Sequence, residues 1–167
     1  KNQFLQKKTN SKQFNVPNYR LPTEAEWELA AKAGKKGSIK YSWGTNSLTT
    51  DKGCFLANFK PKKGNYTDDK GLYTVPAKHY APNDYGLFNM SGNVAEWTSS
   101  SYSPINEVNS SSVNPYKKDL TVSTKIVKGG SWKDVVYFLE IGSKDFEDKD
   151  TPRSYIGFRT VRDYIKN

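Results

Sequence analysis

Cysteine, histidine and methionine each occur once in these 167 residues. With Cys54 alone, no disulfide can close within the chain and no thiolate metal cluster can form from it. A lone cysteine reads as a small core filler. His79 alone excludes a multi-histidine metal centre, and it reads as a surface or loop residue rather than a catalytic base. Arginine is also scarce: of 26 basic residues only Arg20, Arg153, Arg159 and Arg162 are arginines. The lysines fall in short polar clusters, at Lys7–Lys8, Lys35–Lys36, Lys60 with Lys62–Lys63, and Lys117–Lys118. Base-specific reading of nucleic acid favours clustered arginine with interleaved aromatics. The net charge of +9 therefore predicts no nucleic-acid partner; it describes a solvated face and suits an acidic partner surface. No apolar run approaches the roughly 20 residues that span a bilayer. The length suits one sizeable core rather than two domains.

What is present concentrates in Tyr85 to Trp97, YGLFNMSGNVAEW. Gly86 and Gly92 allow sharp turns, Asn83, Asn89 and Asn93 offer amide oxygens, and Glu96 stands among Val94, Ala95 and Trp97. A carboxylate buried in that company needs a cation, an arginine or several backbone donors, because desolvating an unpaired charge costs several kcal/mol. The stretch reads as a structural loop around an oxygen-rich site of the kind calcium takes.

In chain order, residues 1–18 are polar and read as a linker or lead-in. YRLPTEAEWELAAKAGKKG is the clearest helix: Thr23 and Glu26 form a capping box, Glu24, Glu26 and Glu28 suit the positive helix end, and Gly34 stops it. Trp27, Ala30 and Ala31 fall on one face and read as core. YSWG and CFLANF are short apolar runs, followed by the turn-rich PKKGNYTDDKG. Asp68–Asp69 near Gly71, with Asn58 preceding, resembles the acidic half of a calcium loop; exposed charge is the competing reading. Thr98 to Thr124 is polar and predicts a long excursion with little regular structure. TKIVKGGSW predicts a strand entering a glycine turn, VVYFLEIG a strand or helix, FEDKDTPRS a loop, and YIGFRTVRDYI a closing strand. One helix among short strands and many turns indicates α+β.

RLPTEAEWE, YSWG, YGLFNMSGNVAEW, KGGSW and IGFR, in that order, resemble the formylglycine-generating-enzyme, or sulfatase-modifying-factor, domain, a variant of the C-type-lectin-like fold. The resemblance covers Tyr19 to Val161. It implies that residues 19–163 are the carboxy-terminal part of such a domain, with 164–167 a tail. The family's oxidases bind copper(I) through two cysteines five positions apart, soon after GGS. A soft thiolate pair is what that ion demands. The matching positions here are Asp134 and Leu139, so the expectation is no copper, no formylglycine formation and no enzyme. The single histidine likewise leaves no iron centre of the sulfoxide-synthase kind. The family's calcium sites carry over as two sets. One is Asn58 (side chain), Phe59 (carbonyl), Asp69 (side chain) and Gly71 (carbonyl); the other is Asn93, Val94 (carbonyl) and Glu96. Hydrogen bonding of Asn93 and Glu96 to turn amides is the alternative to the second set.

A narrower likeness lies in KGGSWKDVVYFLEIGSKDFEDKDTPRSYIGFRTV, which resembles the cysteine-less gliding-motility and type IX secretion lipoproteins of the Bacteroidota (the GldJ and GldK kind). It implies a non-catalytic scaffold at the periplasmic side of the outer membrane. Its partners would be other envelope proteins of a secretion or motility complex, and a lipid anchor outside this chain would associate it with the membrane. The alternative is a lectin-like module for a glycan or peptide, with Trp132, Tyr137 and Phe138 lining a groove, although their apolar segment reads as core. An enzyme using Asp134 and Glu140 as a carboxylate pair is a third reading, which a spacing of six residues does not favour.

Overall fold

The computed structural model describes residues 18–61, 67–69, 71–102 and 122–163. The 1–17 part of the lead-in and the 164–167 tail lie outside the described residues. Helix α1 (Glu24–Lys32) begins where the sequence places it. Thr23 Oγ1 accepts from the Glu26 N–H and Glu26 returns the bond to the Thr23 N–H, satisfying two donors that the first helical turn leaves unpaired. The left-handed residue that ends it is Ala33, one position before the expected Gly34, which is also at positive φ.

Four strands form one mixed sheet in the order β4-β3-β2-β5, built from β2 (Ala95–Ser101), β3 (Thr124–Lys128), β4 (Asp145–Asp148) and β5 (Ile156–Gly157). The β2–β3 and β3–β4 pairs are antiparallel and β2–β5 is parallel. A separate antiparallel ribbon joins β1 (Tyr19–Arg20) to β6 (Val161–Arg162). With much irregular chain around one helix, this is the α+β, C-type-lectin-like arrangement that the motif order implies.

Three sequence expectations are corrected. Thr98–Ser101 belongs to a strand, because its small hydroxyl side chains are bonded inward: Thr98 Oγ1 donates to the Ile126 carbonyl at 2.9 Å and Ser100 Oγ accepts from the Glu24 N–H at 3.0 Å. The rest of that excursion, 103–121, lies outside the described residues. FEDKDTPRS is not all loop, since Phe146 and Glu147 pair with Ile126 and Lys125. YIGFRTVRDYI forms two short strands in different sheets rather than one.

Apolar burial forms two clusters among the described residues. Trp27 and Ala31 of α1 pack with Met90 and Ile141, and Tyr41, Ala57 and Phe59 pack with Leu139. Trp27 is thus core, as its helical spacing predicts, and truncation of such a side chain to alanine costs about 3–5 kcal/mol. The clusters meet through backbone contacts at the Tyr85–Trp97 stretch. The Gly92 N–H donates to the Gly129 carbonyl and the Asn93 N–H to the Asn58 carbonyl, both at 2.8 Å. Gly92 has φ +88°, and a Cβ there would lie 2.6 Å from the Asn58 carbonyl oxygen. Only glycine allows that approach in that conformation.

Candidate functional site

The glycine turn after β3 carries the positions where the oxidases of the resembled family hold copper. Asp134 closes the turn on itself: its Oδ2 accepts from the Ser131 N–H at 2.9 Å and the Ser131 hydroxyl at 2.6 Å, and Lys133 Nζ approaches Oδ1 at 3.0 Å. Its carbonyl accepts from the Lys60 N–H. Leu139 ends the 3-10 helix Val136–Leu139 fully buried against Tyr41, Ala57 and Phe59. A turn-capping carboxylate and a core leucine do not fit copper(I), a soft ion that takes thiolates. The cavity beside them, lined in part by Gly130, Asp134, Phe138, Phe146 and Tyr155, has about 30 Å³, room for little more than one water. Asp134 and Glu140 do not act as a pair, since Glu140 turns to Lys40 at 3.1 Å.

The first expected cation set does come together. Asp69 is buried although Asp68 beside it is exposed. Its Oδ2 accepts from the Phe59 N–H at 2.6 Å and Oδ1 from the Gly71 N–H at 3.0 Å. Burial pushes its carboxyl above the usual aspartate range, against the opposing pull of those amides. Asn58 is fully buried; its Nδ2 donates to the Tyr73 carbonyl at 2.7 Å and to Asn93 Oδ1 at 3.2 Å. The orientation of both amides is fixed by the network, because Asn93 Oδ1 also accepts from the Val75 N–H and Asn93 Nδ2 donates to the Val75 carbonyl. Among the described residues Asn58 Oδ1 is consequently a buried acceptor with no donor, a deficit of about 1–3 kcal/mol. A Cβ on Gly71 would stand 2.8 Å from it, so glycine keeps the space beside that oxygen open. An orphaned carbonyl oxygen near a desolvated carboxylate fits a hard divalent cation. Such an ion would be held by Asn58, Asp69 and the carbonyls of Phe59 and Gly71.

The second set does not offer the same chemistry. Arg159 donates from Nε to Glu96 Oε2 at 2.5 Å and from Nη2 to Oε1 at 2.6 Å, and the Trp27 indole N–H adds a third bond at 2.7 Å. Of the three partners the sequence allows for Glu96, the arginine is the one found. A divalent ion there would face a guanidinium, so Asn93, Val94 and Glu96 do not fit calcium. Asn93 is spent on Val75 and Asn58, the turn-bonding alternative. The IGFR motif contained Arg159, but only a pairing argument for a buried carboxylate singles it out. Lys128 was missed altogether: fully buried, it reaches Glu28 at 2.8 Å and Glu24 at 3.6 Å and lies over the Trp27 ring. A lysine inside an apolar strand facing a helix with several glutamates was the available signal.

Two further readings are corrected. Cys54 is exposed, because it lies in the turn closed by the Thr49–Phe55 bridge, where Phe55 takes the inward position. It lines a pocket of about 220 Å³ with His79, Tyr80, Asp68 and Asp69; His79 itself is exposed, as expected. Among the described residues no group of three His, Cys, Asp or Glu side chains is placed to hold a metal. The Trp132–Leu139 segment is core only at Leu139. Tyr137 is 58% exposed, Trp132 and Phe138 are half-buried, and Trp132 meets the 64% exposed Tyr73 edge to face at 5.1 Å. With three residues per turn, the short helix brings Val136 and Leu139 to the same core cluster and leaves Tyr137 outward.

The sequence and fold agree with known proteins. The family model described as the sulfatase-modifying factor enzyme 1-like domain matches residues 3–164. The formylglycine-generating enzyme of Streptomyces coelicolor is 33% identical over 148 residues, 86% of this chain and 46% of that protein. The inactive C-alpha-formylglycine-generating enzyme 2 of Mus musculus is 34% identical over 146 residues, 84% of this chain and 42% of that protein. The solved structure of Treponema denticola variable protein 1 superposes with a TM-score of 0.67 at 32% identity, over 87% of this chain and 48% of that one. The chain thus spans less than half the length of these curated relatives. With the motif order, the helix and sheet arrangement and these matches in agreement, the chain belongs to the sulfatase-modifying-factor, or formylglycine-generating-enzyme-like, family.

Proposed function

We propose that this chain is a non-catalytic interaction domain of a cell-envelope assembly, at the periplasmic side of the outer membrane, that retains the family's scaffold without its oxidase chemistry. The observation that carries the reading is the fate of the thiolate positions: Asp134 caps its own turn and Leu139 is core. A family relative in Mus musculus is itself named inactive, which supports loss of activity on an intact scaffold. The likeness of GGSWKD and the following acidic segment to gliding-motility and type IX secretion lipoproteins supports an envelope role, with other envelope proteins as partners and a lipid anchor outside this chain. Calcium, held at Asn58 and Asp69, serves as a structural ion. The test is capture of the native, detergent-solubilised complex with identification of its components. Recovery with outer-membrane secretion or motility proteins is expected, and recovery of this protein without envelope partners overturns the envelope role.

The Tyr73–Trp132 ring pair, with Tyr73 exposed and Trp132 half-buried, favours a second reading, a module that takes a glycan or peptide on that aromatic face. A glycan and peptide array separates the two: specific binding lost in Trp132→Ala supports the module, and an array without hits removes it.

A further inference from the structure

We infer that the cation bound by Asn58 and Asp69 also sets the ring pair of exposed Tyr73 and half-buried Trp132, so that this aromatic face is organised by the ion. The inference rests on the cation reading of that site. Both rings hang from one pair of buried asparagines, one through a side-chain amide and the other through its main-chain carbonyl. The Tyr73 carbonyl accepts from Asn58 Nδ2 at 2.7 Å, and the Trp132 N–H donates to the Asn93 carbonyl at 3.0 Å. The two asparagines are tied to each other by Asn58 Nδ2 on Asn93 Oδ1 and by the Asn93 N–H on the Asn58 carbonyl.

The weak point of this arrangement is the other end of the Asn58 amide. Its Oδ1 lacks a donor among the described residues and faces the space beside Gly71, whose N–H is taken by Asp69 Oδ1. Without an ion, an amide oxygen and a desolvated carboxylate share this corner. Rotating the Asn58 amide would relieve the orphaned oxygen, but it would place that oxygen against the Tyr73 carbonyl and Asn93 Oδ1, both acceptors. Release of the Tyr73 carbonyl then frees the backbone that carries its ring. A divalent cation removes the conflict by taking Oδ1 as a ligand, which selects the amide orientation that holds Tyr73 against Trp132. Binding at a buried corner is thereby coupled to the posture of a surface pair, and the coupling is reciprocal.

The test uses protein labelled with 5-fluorotryptophan, with the Trp132 resonance assigned by its loss in Trp132→Phe. Calcium is titrated while fluorine NMR follows the rings, and calorimetry on the same sample measures binding independently. The expected result is a Trp132 resonance that moves in step with the binding heat, while Trp27 and Trp97 stay in place. Calcium binding with an unmoved Trp132 overturns the coupling and leaves the cation site standing. Absence of binding heat at millimolar calcium overturns the cation site and the coupling with it. In Tyr73→Ala, which alters an exposed ring and no ligand, calcium should bind roughly two- to tenfold more weakly, the range that one aromatic pair supports. Unchanged affinity in that variant also overturns the coupling.

Discussion

Arg159 clamps Glu96 across 63 positions of sequence, with Nε and Nη2 on the two carboxylate oxygens and the second nitrogen also on the Phe88 carbonyl at 3.0 Å. The pair joins the segment after β5 to β2, and the Trp27 indole on the same carboxylate brings in the helix. Glu96 is almost fully buried. Removing the guanidinium leaves a buried anion with a single neutral donor among the described residues. Arg159→Ala should destabilise by about 3–5 kcal/mol, read as a lowered urea midpoint at unchanged slope. Arg159→Lys should recover only part of this, since one ammonium cannot reproduce the two-pronged contact.

Acid should expose a second ion pair. Arg20 and its hydrogen bond hold the Glu26 carboxyl at about 2, well below its ordinary 4.5. A depressed carboxyl contributes stability above its unfolded value, and that stability is lost as pH falls from about 4.5 to about 2. Stability measured across this window should decline in the wild type, and the decline should flatten in Arg20→Ala. Equal slopes would mean that Glu26 is not tied to Arg20 in solution.

Asp69 should behave in the opposite sense. Burial raises its carboxyl, so without a cation the folded state binds this proton more readily than the unfolded chain, and its ionisation costs stability as pH rises. A cation reverses the balance by using the ionised form. Calcium affinity should therefore weaken as pH falls, starting above the range of an ordinary aspartate. Asp69→Asn should abolish both the binding and its pH dependence. Calorimetry at several pH values, with the ion-free protein's stability measured alongside, checks both signs.

The helix was legible because its signals are local: Thr23 and Glu26 are three residues apart, and Trp27 and Ala31 recur at helical spacing. The turn glycines and the family motifs were legible for the same reason. β2 was hidden at Thr98–Ser101 because its inward positions are hydroxyls bonded to Ile126 and Glu24, partners that no periodicity in that segment displays. β4 was hidden because its sequence is acidic and its place at the sheet edge demands little apolar burial. Cys54 and Tyr137 were assigned inward on residue type, whereas tight local turns decide their direction. At the site, the members of each set could be named, but their allegiance could not. Glu96 turned to a distant arginine, and Asn58 was left with an oxygen unpartnered because both acceptors at its other end hold its nitrogen.

The proposed function is an intact family scaffold without copper chemistry. The most direct test is an anaerobic copper(I) titration against a competing chelator, followed by an oxygen-dependent assay on a cysteine-containing peptide. Both are run on the native protein and on Cys54→Ser, which removes the one exposed thiol. No copper(I) should be retained by Cys54→Ser, and neither protein should form formylglycine. Tight copper binding in Cys54→Ser, or turnover of the peptide by either, would contradict it.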